Sequence, residues 1–446
     1  MIHKVNKIIF FLFSLLILLG CVKDISLDSN LSPISTYDAY LPEGHNMNQN
    51  GLFFIDKNKD TANNNYVSLF GFDNNARIKF NNRLLVKNLI QNSENYNNIR
   101  FNKLHVDNDK VLVTGDAIMG NSIFIYISEI NQASGSINSF KVIELSNTLP
   151  INEYFTDLVK TSNGYELFVF GQFGFENIIK RTKTDKDFNV NDNSNFVLGP
   201  ANGNFEYIYC DATVSPNDDL IIGYWGIQGS KPNFIVKSLS SNYNLNFLQL
   251  ENWSSSFTAD FNNTNPELNL NQKLIWFNNN ILLFKTGYFS VEVAGVIESS
   301  TSPCLYSLNP NSGLVDSQLI IDQIYPLIAQ QGVSYNTENL LNVSVFNDKD
   351  IIISGYITHT NGVVTASMNH YDNDFNCINS FFITPNNTSG TISRFHYVGL
   401  NNISEYIGTG YCPRFSSGIF VDPTIYVEPL SVFVGLYNID GELKFE

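Results

Sequence analysis

The sequence predicts an all-β fold, a β-propeller of seven four-stranded blades, on three observations. First, β-branched and aromatic runs are interrupted throughout by Asn, Asp, Ser and Gly, the compositions of strands and of turns. No amphipathic helix longer than two or three turns follows residue 30. Second, one order recurs: an apolar strand ending near Gly, a variable stretch, a second apolar strand, an Asn/Asp-rich turn and a third strand. Third, the turns fall at Asp73, Asn131, Asp185, Ser240, Asn309, Asp372 and Asn438, at intervals of 58, 54, 55, 69, 63 and 66 residues. Six or eight blades, or paired β-sandwiches, are the competing readings of the same pattern.

Taken along the chain, Leu52–Lys57 with Tyr66–Asp73 makes a degenerate first copy. Val111–Gly115 with Ile123–Asn131, Leu167–Gly171 with Ile178–Asp185, and Leu220–Gly223 with Phe234–Ser240 are the clearest. Ile281–Gly287 with Cys304–Asn309, Ile351–Gly355 with Ala366–Asp372, and Tyr406–Gly410 with Val432–Asn438 complete the set. Each unit is too small to bury both faces of its sheet alone, so neighbours must stack, and closing the stack into a ring leaves only short edges.

Ahead of the repeats, His3, Lys4 and Lys7 supply a basic n-region, and Ile8 to Leu19 is apolar except for Ser14. That length suits a signal h-region rather than a membrane span of roughly 20 residues. Leu18-Leu19-Gly20-Cys21 resembles the lipobox of bacterial lipoproteins. The resemblance implies cleavage before Cys21 and acylation of its thiol with palmitate-type chains, which anchor a protein stably when two or more are present. Val22 after the cysteine is similar to lipoproteins sent to the outer membrane, and Lys23-Asp24 resembles a signal for cell-surface display. The expected organisation is a signal peptide over 1–20, a lipidated tether over 21–35 and one propeller domain over 36–446.

Roughly residues 50–446 are similar to the β-propeller lipoproteins whose blades carry a Gly-Tyr strand end and an Asp-x-x-Gly-type turn. Gly-Tyr stands at Gly223-Tyr224, Gly287-Tyr288, Gly355-Tyr356 and Gly410-Tyr411, and the turn is complete only at Asn438–Gly441. No Gly-Gly pair, Trp-Asp dipeptide or sialidase Asp-box occurs, which separates the chain from kelch, WD40 and sialidase propellers.

Loss of residues 1–20 leaves 24 basic against 42 acidic residues, a formal charge of −18. Such a surface repels phosphate, so nucleic acid is excluded as a partner and anionic headgroups are poor ones. With 13% aromatic and 15% charged residues the chain has ample material for cores. Cys210, Cys304, Cys377 and Cys412 match no zinc spacing, and their disulfide state stays open. Asp56, Asn58 and Asp60 have the 1-3-5 spacing of a calcium loop without its Gly or Glu, and read as a solvated hairpin loop. No metal, cofactor or catalytic residue is expected: the histidines form no close pair, no Gly-x-Ser-x-Gly elbow exists, and paired carboxylates fall at turns.

The working surface is expected where the long segments 251–270, 288–303, 322–339 and 412–431 emerge, all on one face of the disc if the Gly-ended strand is the second of each blade. Ligand-binding candidates there are Trp253, Phe257, Tyr288, Phe289, Tyr325, Tyr335, Arg414 and Tyr426. Aromatics beside Asn and Ser serve sugar stacking or interface anchoring. The leading expectation is a non-catalytic outer-membrane or surface lipoprotein, held to the membrane by its lipid anchor, that binds a glycan or protein partner. An extracellular polysaccharide lyase or hydrolase, and a structural subunit of an envelope complex, are the rivals.

Overall fold

The computed structural model describes residues 31–32, 45–60, 65–107, 109–151, 154–200, 205–228, 231–239, 245–251, 273–293, 296–320, 335–346, 349–359, 364–383, 394–401, 404–413, 430–438 and 444. The apolar runs become strands buried on both faces. Val111–Ala117 and Gly164–Gly171 are buried at every position, whereas the outermost strands mix exposed and buried residues. A sheet covered on two sides needs continuous apolar runs rather than strict alternation, and these runs supply them.

After a short first strand, β1 (Leu31–Ser32), four consecutive antiparallel strands make each blade. Blade 1 is β2 (His45–Asn48), β3 (Gly51–Asp60), β4 (Asn65–Phe72) and β5 (Ile78–Leu85). Blade 2 is β6 (Asn97–Val106), β7 (Val111–Met119), β8 (Ser122–Ile130) and β9 (Ile137–Ser146). Blade 3 is β10 (Phe155–Lys160), β11 (Gly164–Phe173), β12 (Glu176–Asp185) and β13 (Val190–Pro200). Blade 4 is β14 (Phe205–Val214), β15 (Leu220–Gln228), β16 (Lys231–Leu239) and β17 (Leu245–Glu251). Blade 5 is β18 (Lys273–Phe277), β19 (Asn280–Val293), β20 (Val296–Leu308) and β21 (Val315–Ile320). Blade 6 is β22 (Tyr335–Phe346), β23 (Asp350–His359), β24 (Val364–Tyr371) and β25 (Cys377–Ile383). Blade 7 holds β26 (Arg394–Leu400), β27 (Tyr406–Pro413) and β28 (Leu430–Tyr437), with the Lys444 N–H donating to the Leu436 carbonyl beside β28.

The first strand of every blade lies inside, next to that of the following blade, and β26 returns to β2, so the seven blades form a closed propeller. Among the described residues the only helical elements are two 3-10 turns, Val86–Leu89 and Ser93–Asn95. Within the stretch expected as a tether, Leu31–Ser32 pairs antiparallel with Lys59–Asp60.

Apolar clusters fill the gaps between blades. Phe53, Leu69 and Phe80 meet Leu104, Val113 and Tyr126 between blades 1 and 2. Ile125 and Leu112 meet Leu167 and Val169 between blades 2 and 3, and Phe168 and Phe170 meet Leu220 and Tyr224 beyond. The closing seam sets Leu52, Phe54, Phe70 and Phe72 against Tyr397, Ile407 and Leu436.

The turn residues act as their chemistry predicts. Asp73, Asp185 and Asp372 each accept, on Oδ1, the N–H groups two and four residues ahead, at 2.8–2.9 Å. A left-handed residue closes each of these turns: Ala76, Phe188 and Phe375 at φ 58°, 61° and 60°. Asn131 and Asn309 make a version one residue longer, closed by Gly135 and Gly313 at φ 68° and 69°. The turn expected at Ser240 lies outside the described residues, as does the stretch after Asn438.

Two expectations are corrected. The repeated glycines sit inside strands rather than at their ends, because β7, β11, β15, β19, β23 and β27 all run on beyond them. A cross-strand aromatic occupies the space: Gly115 faces Tyr126, whose ring would lie 2.4 Å from an added Cβ, and the Tyr126 hydroxyl donates to the Arg100 carbonyl at 2.9 Å. Asp56, Asn58 and Asp60 are not a loop but alternate positions of β3, paired with Ser68, Tyr66 and Leu31. Extended backbone spreads them over about 13 Å, too far apart to wrap one cation.

Phe54 is fully buried and its ring stacks on Phe70 and Phe72 with centroids 4.5 and 5.8 Å away. Phe54→Ala is expected to lower stability by about 3–5 kcal/mol, read as a shift of the urea midpoint. A loss below about 1 kcal/mol would show that the closing seam is not needed to hold the ring.

Candidate functional site

The alternating strands give the disc two unlike faces. First-to-second and third-to-fourth connections share one face, where they are short turns such as 107–110, 161–163 and 215–219. Second-to-third and blade-to-blade connections share the other, which carries 86–96 and 147–154 and receives the ends of β17, β21 and β27.

On the long-connection face, segment 288–303 differs from expectation. It is no loop but the continuation of the β19–β20 hairpin, paired in register from Gly287↔Ser302 to Val293↔Val296. Val291, Val293, Val296 and Ile297 give this tip strand propensity, so it extends as a ribbon. A single parallel bridge, Thr301↔Thr337, then ties the ribbon to the inner strand of blade 6. Tyr288 and Phe289 pair with Thr301 and Ser300, and Tyr335 opens β22 two residues before Thr337. The backbones of these three candidates thus fall within two strand spacings, about 10 Å, on one rim. Trp253, Phe257, Tyr325, Arg414 and Tyr426 lie outside the described residues, as does Cys21.

Polar chemistry concentrates on the seams of blades 2 to 4, a cluster the sequence reading missed because its members come from separate strands. Asp116 is fully buried and accepts five hydrogen bonds. Arg100 Nε donates to Oδ1 at 2.9 Å and Arg100 Nη2 to Oδ2 at 3.1 Å. Asn102 Nδ2 reaches Oδ2 at 2.8 Å, the Tyr154 hydroxyl reaches Oδ1 at 2.9 Å and Thr156 Oγ1 reaches Oδ2 at 3.2 Å. Burial, and then the charge of Asp116, push the Tyr154 phenol well above its ordinary value. Further inside, Lys103 Nζ stands 3.1 Å from Asp157 and 3.8 Å from Asp211, whose other oxygen accepts the Leu274 N–H of blade 5 at 2.9 Å. Arg181 and Glu166, both fully buried, pair within blade 3. Asp116, Asp157 and Asp211 thus hold adjacent blades together.

The short-turn face is stitched likewise. Asn48 Nδ2 donates to the Asp107 carbonyl at 2.6 Å, and Asp107 binds Lys160 at 2.9 Å and the Tyr165 hydroxyl at 3.0 Å. Ser162 gives its N–H and hydroxyl to Asp218 at 2.8 and 2.6 Å, and Asn401 Nδ2 reaches the Asn74 carbonyl at 3.0 Å to join blade 7 to blade 1. Inside this face the central channel opens as a cavity of 1220 Å3, walled by the inner strands.

Among the described residues no group of three or more His, Cys, Asp or Glu is placed to hold a metal. Cys377 carries a free thiol, whose pKa burial raises. Cys210, Cys304 and Cys412 lie on β14, β20 and β27, with their side chains outside the description. His370 is buried in a strand, its Nδ1 2.8 Å from the Tyr406 hydroxyl, a packed histidine as its isolated position in the sequence implied.

No family model matches the chain, and no curated protein matches it. Solved structures match its fold at low identity. The polysaccharide lyase Uly1 shares 7% identity with a TM-score of 0.47 over 89% of this chain and 90% of that one. Apo prolyl oligopeptidase B from Galerina marginata shares 9%, with a TM-score of 0.41 over 94% of this chain and 56% of its own. The WD40 domain of SCAP from fission yeast shares 11%, with a TM-score of 0.37 over 93% and 88%. Similarity this remote concerns architecture and says nothing of activity. The class the fold defines is the seven-bladed β-propeller.

One seam yields a pH test. Lys237 on β16 is 5% exposed, donates to the Leu198 carbonyl at 2.9 Å and lies 5.6 Å from the centre of the Phe196 ring. Burial pulls its pKa down from 10.5 to about 8. Between those values the unfolded chain keeps a proton that the folded chain has released, so stability rises with pH across that window. Lys237→Met is expected to lack the rise in urea midpoint that the wild type shows from pH 8 toward 10. Parallel curves for the two proteins would refute the assignment.

Proposed function

We propose that this chain is a lipid-anchored protein of the outer membrane or cell surface that binds a glycan or protein partner, without catalysis, through its long-connection face. The observation that carries the binding reading is the β19–β20 ribbon. It reaches past its own blade to the inner strand of blade 6 and brings the backbones of Tyr288, Phe289 and Tyr335 to one rim. The bridge at Thr301 holds the base of the ribbon, where Tyr288 pairs, against blade 6, and aromatics on a held backbone bind with little ordering cost. The non-catalytic reading draws on Asp116 and Asp157, whose oxygens are engaged by donors of their own or a neighbouring blade.

Glycan arrays and pull-downs with the full chain in detergent identify the partner. Single replacement of Trp253, Tyr288 or Tyr426 by Ala is then expected to weaken binding by about 1–3 kcal/mol while circular dichroism stays unchanged. Wild-type affinity in all three variants would remove the face from consideration, and cleavage of a bound polysaccharide by the wild type would overturn the non-catalytic reading.

The anchor half of the proposal rests on the basic n-region, the short apolar run and Leu18-Leu19-Gly20-Cys21. Cys21→Ala is expected to move the protein from the membrane fraction to the soluble one, or to trap the unprocessed precursor. Normal processing and normal membrane association of that variant would refute lipidation.

A further inference from the structure

The cavity at the short-turn mouth of the channel lies on the face opposite the one argued above and is independent of it. Its walls come from the inner strands of all seven blades, so its shape is fixed by the ring itself and is preformed. At 1220 Å3 it exceeds the roughly 300–1,000 Å3 of ordinary small-molecule pockets.

The lining has a definite chemistry. Trp276 of blade 5, half-buried, is among the residues that line it. The carboxamide of Asn46 and the hydroxyls of Thr213 and Ser344, from blades 1, 4 and 6, add neutral hydrogen-bonding groups. Of the charged liners, Lys160 is paired with Asp107, and both oxygens of Asp218 are engaged by Ser162. Asp350 remains, 30% exposed, with His370 Nε2 3.8 Å away and burial holding that imidazole toward its neutral form. One carboxylate, hydroxyls, an amide and a flat indole suit a ligand with many hydroxyls and an apolar ring face, and the acidic balance disfavours an anion.

We propose that this mouth is a binding site for the end of a neutral oligosaccharide, stacked on Trp276 and held through its hydroxyls by Asn46, Thr213 and Asp350. A uronic acid or sulfated sugar meets Asp350 and the net charge of −16 on the chain and is rejected.

The test titrates the full chain in detergent with maltotetraose, cellotetraose, mannotetraose and tetragalacturonate, following heat and tryptophan fluorescence. At least one neutral tetrasaccharide is expected to bind saturably, and tetragalacturonate is not. Trp276→Ala is expected to weaken that binding at least about tenfold, with Trp276→Phe retaining most of it because a flat ring remains. Trp253→Ala, which removes a candidate for the glycan or protein site proposed above, is expected to leave it unchanged. No saturable binding of any neutral tetrasaccharide up to about 10 mM would overturn the proposal. So would binding that survives Trp276→Ala, or that is lost in Trp253→Ala alone, an outcome that assigns the sugar to the opposite face.

Discussion

The packing of one blade on the next, closed where Leu52, Phe54, Phe70 and Phe72 meet Tyr397, Ile407 and Leu436, is the constraint on which everything else depends. The middle strands of each blade are apolar on both sides, so a blade without two neighbours exposes a hydrophobic sheet face to water. Residues from the two ends of the chain must therefore meet before blades 1 and 7 are fully covered. Asn401 donating to the Asn74 carbonyl marks the same closure on the short-turn face.

Closure also determines where polar groups go. An unpaired buried carboxylate is costly, and Asp116 avoids that cost by drawing donors from two strands of blades 2 and 3 and the segment between them. Lys103, Asp157 and Asp211 extend the arrangement across three inner strands, and the Leu274 N–H carries it to a fourth. The strongly acidic chain thus places several of its carboxylates in seams, where they give register between blades. Such a belt fixes the relative height of the inner strands, and with it the shape of the channel they enclose.

The two faces inherit different properties from this frame. Asp73, Asp185 and Asp372 bind their own turn backbones, and their carboxyls are accordingly committed; Asn376 holds Asp372 below the ordinary carboxylate range, and Asn189 does the same for Asp185. The short-turn face is rigid and presents a preformed channel mouth. The opposite face carries the connections between blades and the β19–β20 ribbon, where chain length is not limited by a turn. A single propeller can in this way offer two surfaces that differ in shape.

By itself the sequence determined the repeat and the turns at Asp73, Asn131, Asp185, Asn309 and Asp372, because these are local, while it left six, seven or eight blades open until the ring was seen to close. An Asp or Asn carboxyl or amide oxygen meeting N–H groups two to four residues ahead leaves a signature within a few positions. Glycine was legible as a repeat marker but not in its role: whether Gly115 ends a strand or makes room for Tyr126 depends on the residue across the ladder. Likewise the valines of 291–297 fit either a loop or a ribbon until Thr301 finds Thr337. The long-connection aromatics were found as residue types, with only Tyr288, Phe289 and Tyr335 given a backbone setting. Only the tertiary structure decided the partners of Asp116 and the lining of the channel. Asn46, Thr213, Trp276 and Ser344 share one cavity because the ring closes, and no spacing along the chain encodes that meeting.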